Sequence, residues 1–488
     1  MTKDAASKIE FDWKRWMFFS IGSILFLVVY YSSPWPDAVD PVGKHFVLSQ
    51  QAKGALALFL LAGTFWVFEV LPIGVTGLLI GVVQALFFIR PASEAFKDFM
   101  DPSVLFIFGS LTIGMVFTKV GITKRLAYKM LIVVGESTTR IYLGCFVVTA
   151  LLTHIMAHTA VAATMYPLLM TIYALYTTDE KPTRFGKGLF IGMAFVAGAG
   201  SIITLLGAAR GIVALGFYKE IAGKDISFFE LSYYMAPLGW SMVFLIWALI
   251  CVMFKPEQAS IPGLREKARL LNSEMGSLSK QEIVAGLIVL TAILFLSMQS
   301  FIPVLKPFNK SAIILVATIS FFLFNVLDLD DLQLIPWNII LLFAGAMSIG
   351  FCLWQTGAAE WLAINWLGFF KNSHWFVFVM GISFFVLVMT NFIMNVAAIA
   401  ISLPVALVVA PYLNVSGEVI LFASLATAGM PFLLLVGAAP NAIAYSSKQF
   451  TSGEFFTAGI PASIILLAAL GLFIILIWPL MGMSVFLG

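Results

Sequence analysis

Residues 141–176 read IYLGCFVVTALLTHIMAHTAVAATMYPLLMTIYALY, an apolar run broken near its middle by Thr153, His154, His158 and Thr159. One spanning helix needs about 20 residues, so a run of nearly twice that length with polar groups at its centre fits a hairpin that enters the bilayer and turns back. A second run of the same kind, 375–412, carries Thr390, Asn391 and Asn395 at its centre.

The rest of the chain agrees with a lipid solvent. Of 488 residues 61% are hydrophobic and 11% charged, and the mean hydropathy is +1.01, which leaves too little polar surface to cover a water-soluble globule. Segments such as Ile460 to Leu480 are apolar on every face, without the period-two alternation of barrel strands, so a β-barrel is excluded and an all-α polytopic bundle expected. Apolar runs predict spans near 16–32, 54–70, 73–89, 103–119, 187–218 and 231–254, then 281–299, 311–327, 337–357, 417–447 and 459–482. With both hairpins returning to their starting side, about 11 transmembrane helices result. Lys and Arg then fall about two to one on the side of the N-terminus, which the positive-inside rule makes cytoplasmic. Lys3, Lys8, Lys14 and Arg15 precede the first apolar stretch, and no small-residue cleavage site follows it, so it reads as a retained span.

Three blocks recur in order. Gly109, Gly114, Gly121, Leu126 and Ala127 match Gly345, Gly350, Gly357, Leu362 and Ala363; Thr153, Ala160 and Pro167 match Thr390, Ala397 and Pro404; Leu205, Gly207, Ala208 and Ala209 match Leu435, Gly437, Ala438 and Ala439. The expected organisation is an N-terminal segment with the first helix (1–53), repeat 1 (54–254), a polar cytoplasmic linker (255–280) and repeat 2 (281–488). An odd number of spans per repeat places the repeats in opposite orientation, the inverted plan of secondary transporters, whose site lies at the repeat interface among discontinuous helices.

The two hairpin turns, Thr153-His154-Ile155-Met156-Ala157-His158-Thr159-Ala160 and Thr390-Asn391-Phe392-Ile393-Met394-Asn395-Val396-Ala397, present polar groups at corresponding places. Free N–H groups at the start of each second arm attract an anion. Glycines and prolines mark two broken helices, at Gly198-Ala199-Gly200-Ser201 with Gly207-Ala208-Ala209-Arg210, and at Gly437-Ala438-Ala439-Pro440-Asn441. Arg210 is the most informative charge, since a guanidinium at membrane depth needs water, a carboxylate or a bound anion, unless it snorkels to the interface. Glu69, beside Leu71-Pro72, reads as interfacial or as a helix-break partner.

Scattered basic residues give no nucleic-acid face, and Cys145, Cys251 and Cys352 lie in apolar segments as packing residues. His154 and His158 stand four apart, the spacing of a zinc hydrolase, but position 155 is Ile where that motif has its glutamate. An intramembrane metalloenzyme is therefore the remote alternative. A channel or uncoupled facilitator is a further class.

Trp66-Val67-Phe68-Glu69-Val70-Leu71-Pro72, Val75-Thr76, the stretch from Leu342-Phe343-Ala344-Gly345 to Thr356-Gly357-Ala358-Ala359-Glu360-Trp361, and Ala439-Pro440-Asn441-Ala442-Ile443 together resemble the divalent anion:sodium symporters, which include di- and tricarboxylate carriers. The resemblance covers nearly everything after residue 54 and implies a homodimer in the inner membrane, with a mobile domain that carries both hairpins and both broken helices across the bilayer as an elevator. The family's two Ser-Asn-Thr motifs, which bind substrate carboxylates and frame sodium sites, fall on Ala157-His158-Thr159 and Met394-Asn395-Val396. With Ser201, Arg210, Ala438 and Ala439 these make the implied substrate site, and any coupling cation falls near Thr153, Ala157, His158, Gly200, Thr390, Asn395 and Gly437. No cofactor is implied beyond Na+ or H+ coupling. Both motifs and the first unwound segment have lost hydroxyls that sodium prefers. The expectation is therefore a carrier of small organic anions, of di/tricarboxylate type or a short sulfonate, that works by exchange or proton linkage. The alternative is a sodium-coupled dicarboxylate or sulfate symporter.

Overall fold

The computed structural model describes residues 12–39, 45–177, 181–370, 374–392 and 394–487, so Lys3, Lys8 and Ile393 lie outside the described residues. It is a bundle of α-helices whose one sheet among the described residues is a two-stranded pairing of Ala38–Val39 with His45–Phe46. Among the described residues nine helices are long and apolar enough to cross a membrane. Three of these, His158–Tyr176, Trp375–Phe392 and Asn395–Leu413, belong to the two hairpins. The other six lie outside the hairpins, and five further helical segments, Gln50–Val67, Ile73–Leu86, Arg184–Gly200 with Ala209–Ala222, Lys310–Leu323 and Gly417–Ala428 with Ala439–Tyr445, stand where the remaining spans are expected from the sequence.

Local chemistry sets the ends. Ser227 with Glu230, Ser279 with Glu282 and Thr451 with Glu454 form capping boxes that satisfy the first N–H groups of three helices. Between Gln50–Val67 and Ile73–Leu86 the chain turns through Glu69 at φ 47°, a conformation that costs an ordinary residue energy, and Pro72 opens the next helix. Glu69 is thus an exposed helix-break residue, one of the two roles expected. Gly121 and Gly357 both have left-handed φ, 91° and 80°, and at each the chain leaves a long helix for a shorter one, Ile122–Val134 or Ala358–Phe370. Sequence reading missed both short helices, because each lies just past the end of an expected span and, at 13 residues, is too short to read as a span itself.

The frame behind the site rests on a backbone-to-backbone crossing. A Cβ on Gly77 would sit 2.2 Å from Leu341 O, and one on Gly345 would sit 2.3 Å from Gly77 Cα, so only glycine lets Ile73–Leu86 and Trp337–Gln355 approach this closely. Nearby, Gln84 donates to Ser348 Oγ at 2.8 Å, and Arg90 Nη1 bonds Gln84 Oε1 at 3.1 Å and Asp98 Oδ2 at 2.6 Å, pairing a buried charge with hydrogen bonds at this crossing.

The polar linker is built structure. It carries the helix Leu264–Glu274 and is fastened at both ends. At one end Ile261 N donates to Glu136 O at 2.8 Å and Thr138 N to Ala259 O at 3.0 Å, while Glu257 accepts from Arg184 N at 2.6 Å, Phe185 N at 3.2 Å and Tyr176 Oη at 2.8 Å. Burial works against the Glu257 carboxylate, yet these donors outweigh it and hold its pKa below the usual glutamate value. At the other end Arg125 donates to Glu282 Oε1 at 2.8 Å and to Gly276 O at 2.8 Å.

Candidate substrate and ion site

The first hairpin, Thr138–Thr153 and His158–Tyr176, turns back through residues 154–157. Its tip is pinned to the unwound middle of the first broken helix. His158 N donates to Gly207 O at 3.0 Å, the His158 ring lies 3.3 Å from the same oxygen, and Thr204 Oγ1 donates to His154 O at 2.8 Å. The approach depends on glycine: a Cβ on Gly207 would meet Thr153 O at 2.5 Å, and one on Gly200 would meet Thr153 Oγ1 at 2.4 Å.

The second hairpin repeats this plan with different side chains. A Cβ on Gly437 would meet Thr390 O at 2.8 Å, the counterpart of the Gly207 contact with Thr153. Here asparagines do the pinning. Asn391 Oδ1 accepts from Leu433 N at 2.8 Å and Leu434 N at 3.1 Å, and Asn441 Nδ2 donates to Pro431 O at 2.9 Å and Leu434 O at 3.1 Å. Thr390 Oγ1 donates to Ala428 O at 3.0 Å. The polar groups of the second unwound segment are thereby consumed by its own scaffold.

The caps show the same pairing. Ala157 (φ −57°, ψ 136°) and Met394 (φ −58°, ψ 144°) precede the second arms of the hairpins. Ala208 (φ −161°, ψ 139°) and Ala438 (φ −153°, ψ 147°) precede the second halves of the broken helices. None of the four supplies a side-chain cap to the first N–H groups of the helix it precedes. Ala439 opens the last half-helix.

Arg210 does not snorkel. It is 1% exposed, and its Nη2 donates to Ser201 Oγ at 2.7 Å, while Ser201 Oγ in turn donates to Gly198 O at 2.7 Å. A Cβ on Gly429 would lie 2.7 Å from Nη2, so the guanidinium occupies a notch between the two broken helices that a larger residue would fill. Nη1 is buried without a hydrogen-bond partner, and no carboxylate pairs with Arg210 among the described residues.

A cleft of about 800 Å³ reaches the first tip. Thr159, Ala160, Thr164 and Thr171 line one wall, and Lys119 and Lys124 stand on the other. A second cleft, about 820 Å³, lies between Ala209–Ala222 and the connection around Lys306–Ser311, and it does not include either tip. Across that second cleft Lys310 Nζ donates to Asp225 Oδ1 at 2.7 Å and Ile226 O at 2.6 Å, and Ser300 Oγ to Ser227 Oγ at 2.7 Å.

The sequence-derived residues therefore gather around two tips, with Thr153, Gly200, Ser201, Gly207 and Arg210 on one side and Thr390, Gly437 and Ala438 on the other. Of the residues named as the site, only Thr159 lines the open cleft. Sequence reasoning missed Thr204 and Gly429, and treated Asn391 and Asn441 only as polar markers. Asn441 had a signal in its place after Pro440, whereas Gly429 had none, because its role is the space it leaves. The zinc reading fails on geometry. The helix ends at Thr153, so positions 154 and 158 share no face; the His154 ring packs edge-on against Trp240 at 5.5 Å, while His158 turns to Gly207. Among the described residues no three His, Cys, Asp or Glu side chains gather as a metal site.

Comparison with known proteins agrees with this architecture. Residues 13–484 match the family described as sodium:sulfate symporter transmembrane region. The sodium-dependent dicarboxylate transporter SdcS of Staphylococcus saprophyticus is 24% identical over 90% of this chain and 88% of its own length, and that of Staphylococcus aureus 23% over 84% of each. A membrane protein of Cupriavidus necator is 23% identical over 96% and 93%. The solved structure of Neisseria gonorrhoeae MtrF, at 12% identity, superposes with a TM-score of 0.57 over 94% of this chain and 93% of its own, a likeness of fold alone. The family and the SdcS relatives are transporters, not enzymes, and with paired hairpins and broken helices across its matched length this chain belongs to the sodium:sulfate symporter family of multi-pass membrane proteins.

Proposed function

We propose that the chain carries small organic anions of the dicarboxylate class across the inner membrane, by exchange against another anion or linked to protons. The observation that carries this reading is Arg210: a fully buried guanidinium, with no carboxylate partner among the described residues, set between the two broken helices where the family is expected to hold coupling cations. A resident positive charge at that place performs the neutralising work of a bound sodium ion and cannot leave with the cargo. Net transport then needs a counter-anion or a proton for the return step.

In this reading residues 54–254 and 281–488 are inverted repeats joined by 255–280, two copies form a homodimer, and the hairpins and broken helices move together as an elevator. The site is made by Ala157, His158, Thr159, Ser201 and Arg210 against Met394, Asn395, Val396, Ala438 and Ala439. The decisive experiment is uptake of labelled succinate, citrate or sulfate into proteoliposomes with and without preloaded anion, sodium or a proton gradient. Saturable uptake that requires preloading and ignores sodium supports the reading, and strict sodium dependence defeats it. Sodium symport is the second reading, favoured by relatives named as sodium-dependent; it would place cations on backbone carbonyls near Thr153, Gly200, Thr390 and Gly437.

A further inference from the structure

We infer that the open cleft holds a second anion site, apart from the two hairpin tips: the N-terminus of the helix Ile122–Val134, with Thr123 and Lys124, takes a carboxylate of the cargo on its way to or from the first tip. This rests on the dicarboxylate-carrier reading above and adds a binding step to it.

The cleft of about 800 Å³ is lined by two helix beginnings. Thr159 is the second residue of His158–Tyr176, Thr123 is the second residue of Ile122–Val134, and both line the cleft. The residues in front of these helices, Ala157 and Gly121, give no side-chain hydrogen bond to the first turn. The first N–H groups of a helix have no acceptor within it and carry the positive end of its dipole, so each beginning suits a carboxylate. The beginning at Thr159 belongs to the first tip, and the beginning at Thr123 stands outside the tips and the broken helices.

The Thr123 hydroxyl makes this more than a bare helix end. Threonines inside helices commonly donate to the carbonyl four residues back, and three others on the cleft wall do so: Thr118 to Gly114 O at 3.0 Å, Thr164 to Ala160 O at 2.9 Å and Thr171 to Pro167 O at 2.9 Å. Thr123 has no such outlet, because the chain turns through Gly121 at φ 91° and the carbonyl four positions back belongs to the preceding helix. Thr123 is 0% exposed, and its Oγ1 is buried without a hydrogen-bond partner among the described residues. A buried hydroxyl left unpaired is costly, so the fold keeps here a donor that an incoming oxyanion satisfies.

Charge in the cleft agrees. Its Lys, Arg, Asp and Glu lining residues are Lys119, Lys124 and Asp331. Lys119 is spent on Asp331 and, at 3.3 Å, on Asp328. Those two carboxylates are further held by backbone, Asp331 accepting from Asp328 N at 2.8 Å and Asp328 from Asp331 N at 3.1 Å. Arg125 turns away to Glu282 and Gly276 O. Lys124, exposed on the first turn of Ile122–Val134, makes no ion pair among the described residues, so its ammonium is the positive charge left for an anion in this cleft.

The test is equilibrium binding of labelled succinate to the purified full-length protein in phosphatidylcholine nanodiscs, in sodium-free and sodium-containing buffer. Two saturable steps per chain are expected, and the weaker loses affinity as choline chloride is raised, because Lys124 faces water. Thr123→Val combined with Lys124→Gln is expected to weaken that step by about tenfold. The double variant removes an unpaired hydroxyl and an unpaired surface charge, so its melting temperature without ligand does not fall. Lys129→Gln takes an exposed charge from the same helix outside the cleft lining and is expected to move neither step. A single step per chain in both buffers, or a weaker step that the double variant leaves in place, overturns this inference and leaves the carrier reading standing. Absence of saturable succinate binding in either buffer removes the dicarboxylate reading and this cargo assignment with it. A weaker step seen in phosphatidylcholine but lost in phosphatidylglycerol nanodiscs shows that a lipid headgroup phosphate holds this helix end, and overturns the assignment to cargo.

Discussion

Replacing Ser201 by alanine isolates the contact on which the coupling argument depends. The substitution removes one oxygen, and with it the hydrogen bond that Arg210 Nη2 makes at 2.7 Å. Since Nη1 already lacks a partner among the described residues, the guanidinium is left buried with its terminal nitrogens unsatisfied by any side chain. A hydrogen bond to a charged group contributes about 1.5–3 kcal/mol, and unlike a surface contact it cannot be replaced by bulk water here. At about 1.4 kcal/mol per factor of ten, the conformation with Arg210 in its notch falls roughly 10- to 150-fold in relative population. The expected outcome for Ser201→Ala is lower thermal stability in detergent together with exchange slowed by at least tenfold. Gly429→Ala should act the same way from the other side, because its Cβ would lie 2.7 Å from Nη2 and 2.5 Å from Ile202 Cγ2. The reasoning is refuted if Ser201→Ala keeps wild-type stability and exchanges anions within twofold of the wild-type rate.

Three further outcomes are expected. Gly77→Ala should destabilise the frame by about 1–3 kcal/mol or more, because backbone atoms of Leu341 and Leu342 on the facing helix oppose the added methyl, and differential scanning of the purified protein measures it. Lys310→Gln releases Asp225 and Ile226 across the cleft that excludes the tips, so a cysteine introduced at Ser103, on that cleft's wall, should label faster with an impermeant thiol reagent than in the Lys310 parent. The Glu257 carboxyl has a lowered pKa in the folded state, so its contribution is present above its unfolded value of about 4.3 and is lost as pH falls through the folded value. Thermal scans of wild type and Glu257→Gln should therefore differ at neutral pH and converge only once the pH has fallen below the folded value.

The spans, both hairpins and both broken helices were legible because lipid leaves few solutions. Every apolar run must be a helix, and a run too long for one crossing with polar residues at its centre must turn inside the membrane. Thr153 and Thr390 were readable for the same reason, since each stands where a tip meets an unwound segment: a Cβ on Gly207 would meet Thr153 O and one on Gly437 would meet Thr390 O. Residues 122–134 and 358–370 were not legible, since each helix follows a left-handed glycine at the end of a span and is too short to register as a span of its own. The helix within 255–280 was hidden in the same way, because its order comes from Glu136, Glu257 and Arg125, which lie at distant positions in sequence or at its margins.

Composition and repeat order thus determined the class of protein and the residues that approach the site, since those follow from hydrophobic length and from where polar groups are tolerated at depth. Folding decided what the residues do once there. Asn391 and Asn441 look available in the sequence and are spent on backbone in three dimensions; Arg210 looks able to reach the interface and is instead locked on Ser201. Gly429 carries no chemistry of its own and matters through the room it leaves for a guanidinium encoded 219 positions earlier. Hydrogen-bond partners and empty space are properties of a packed structure, and no local pattern of residue types specifies them.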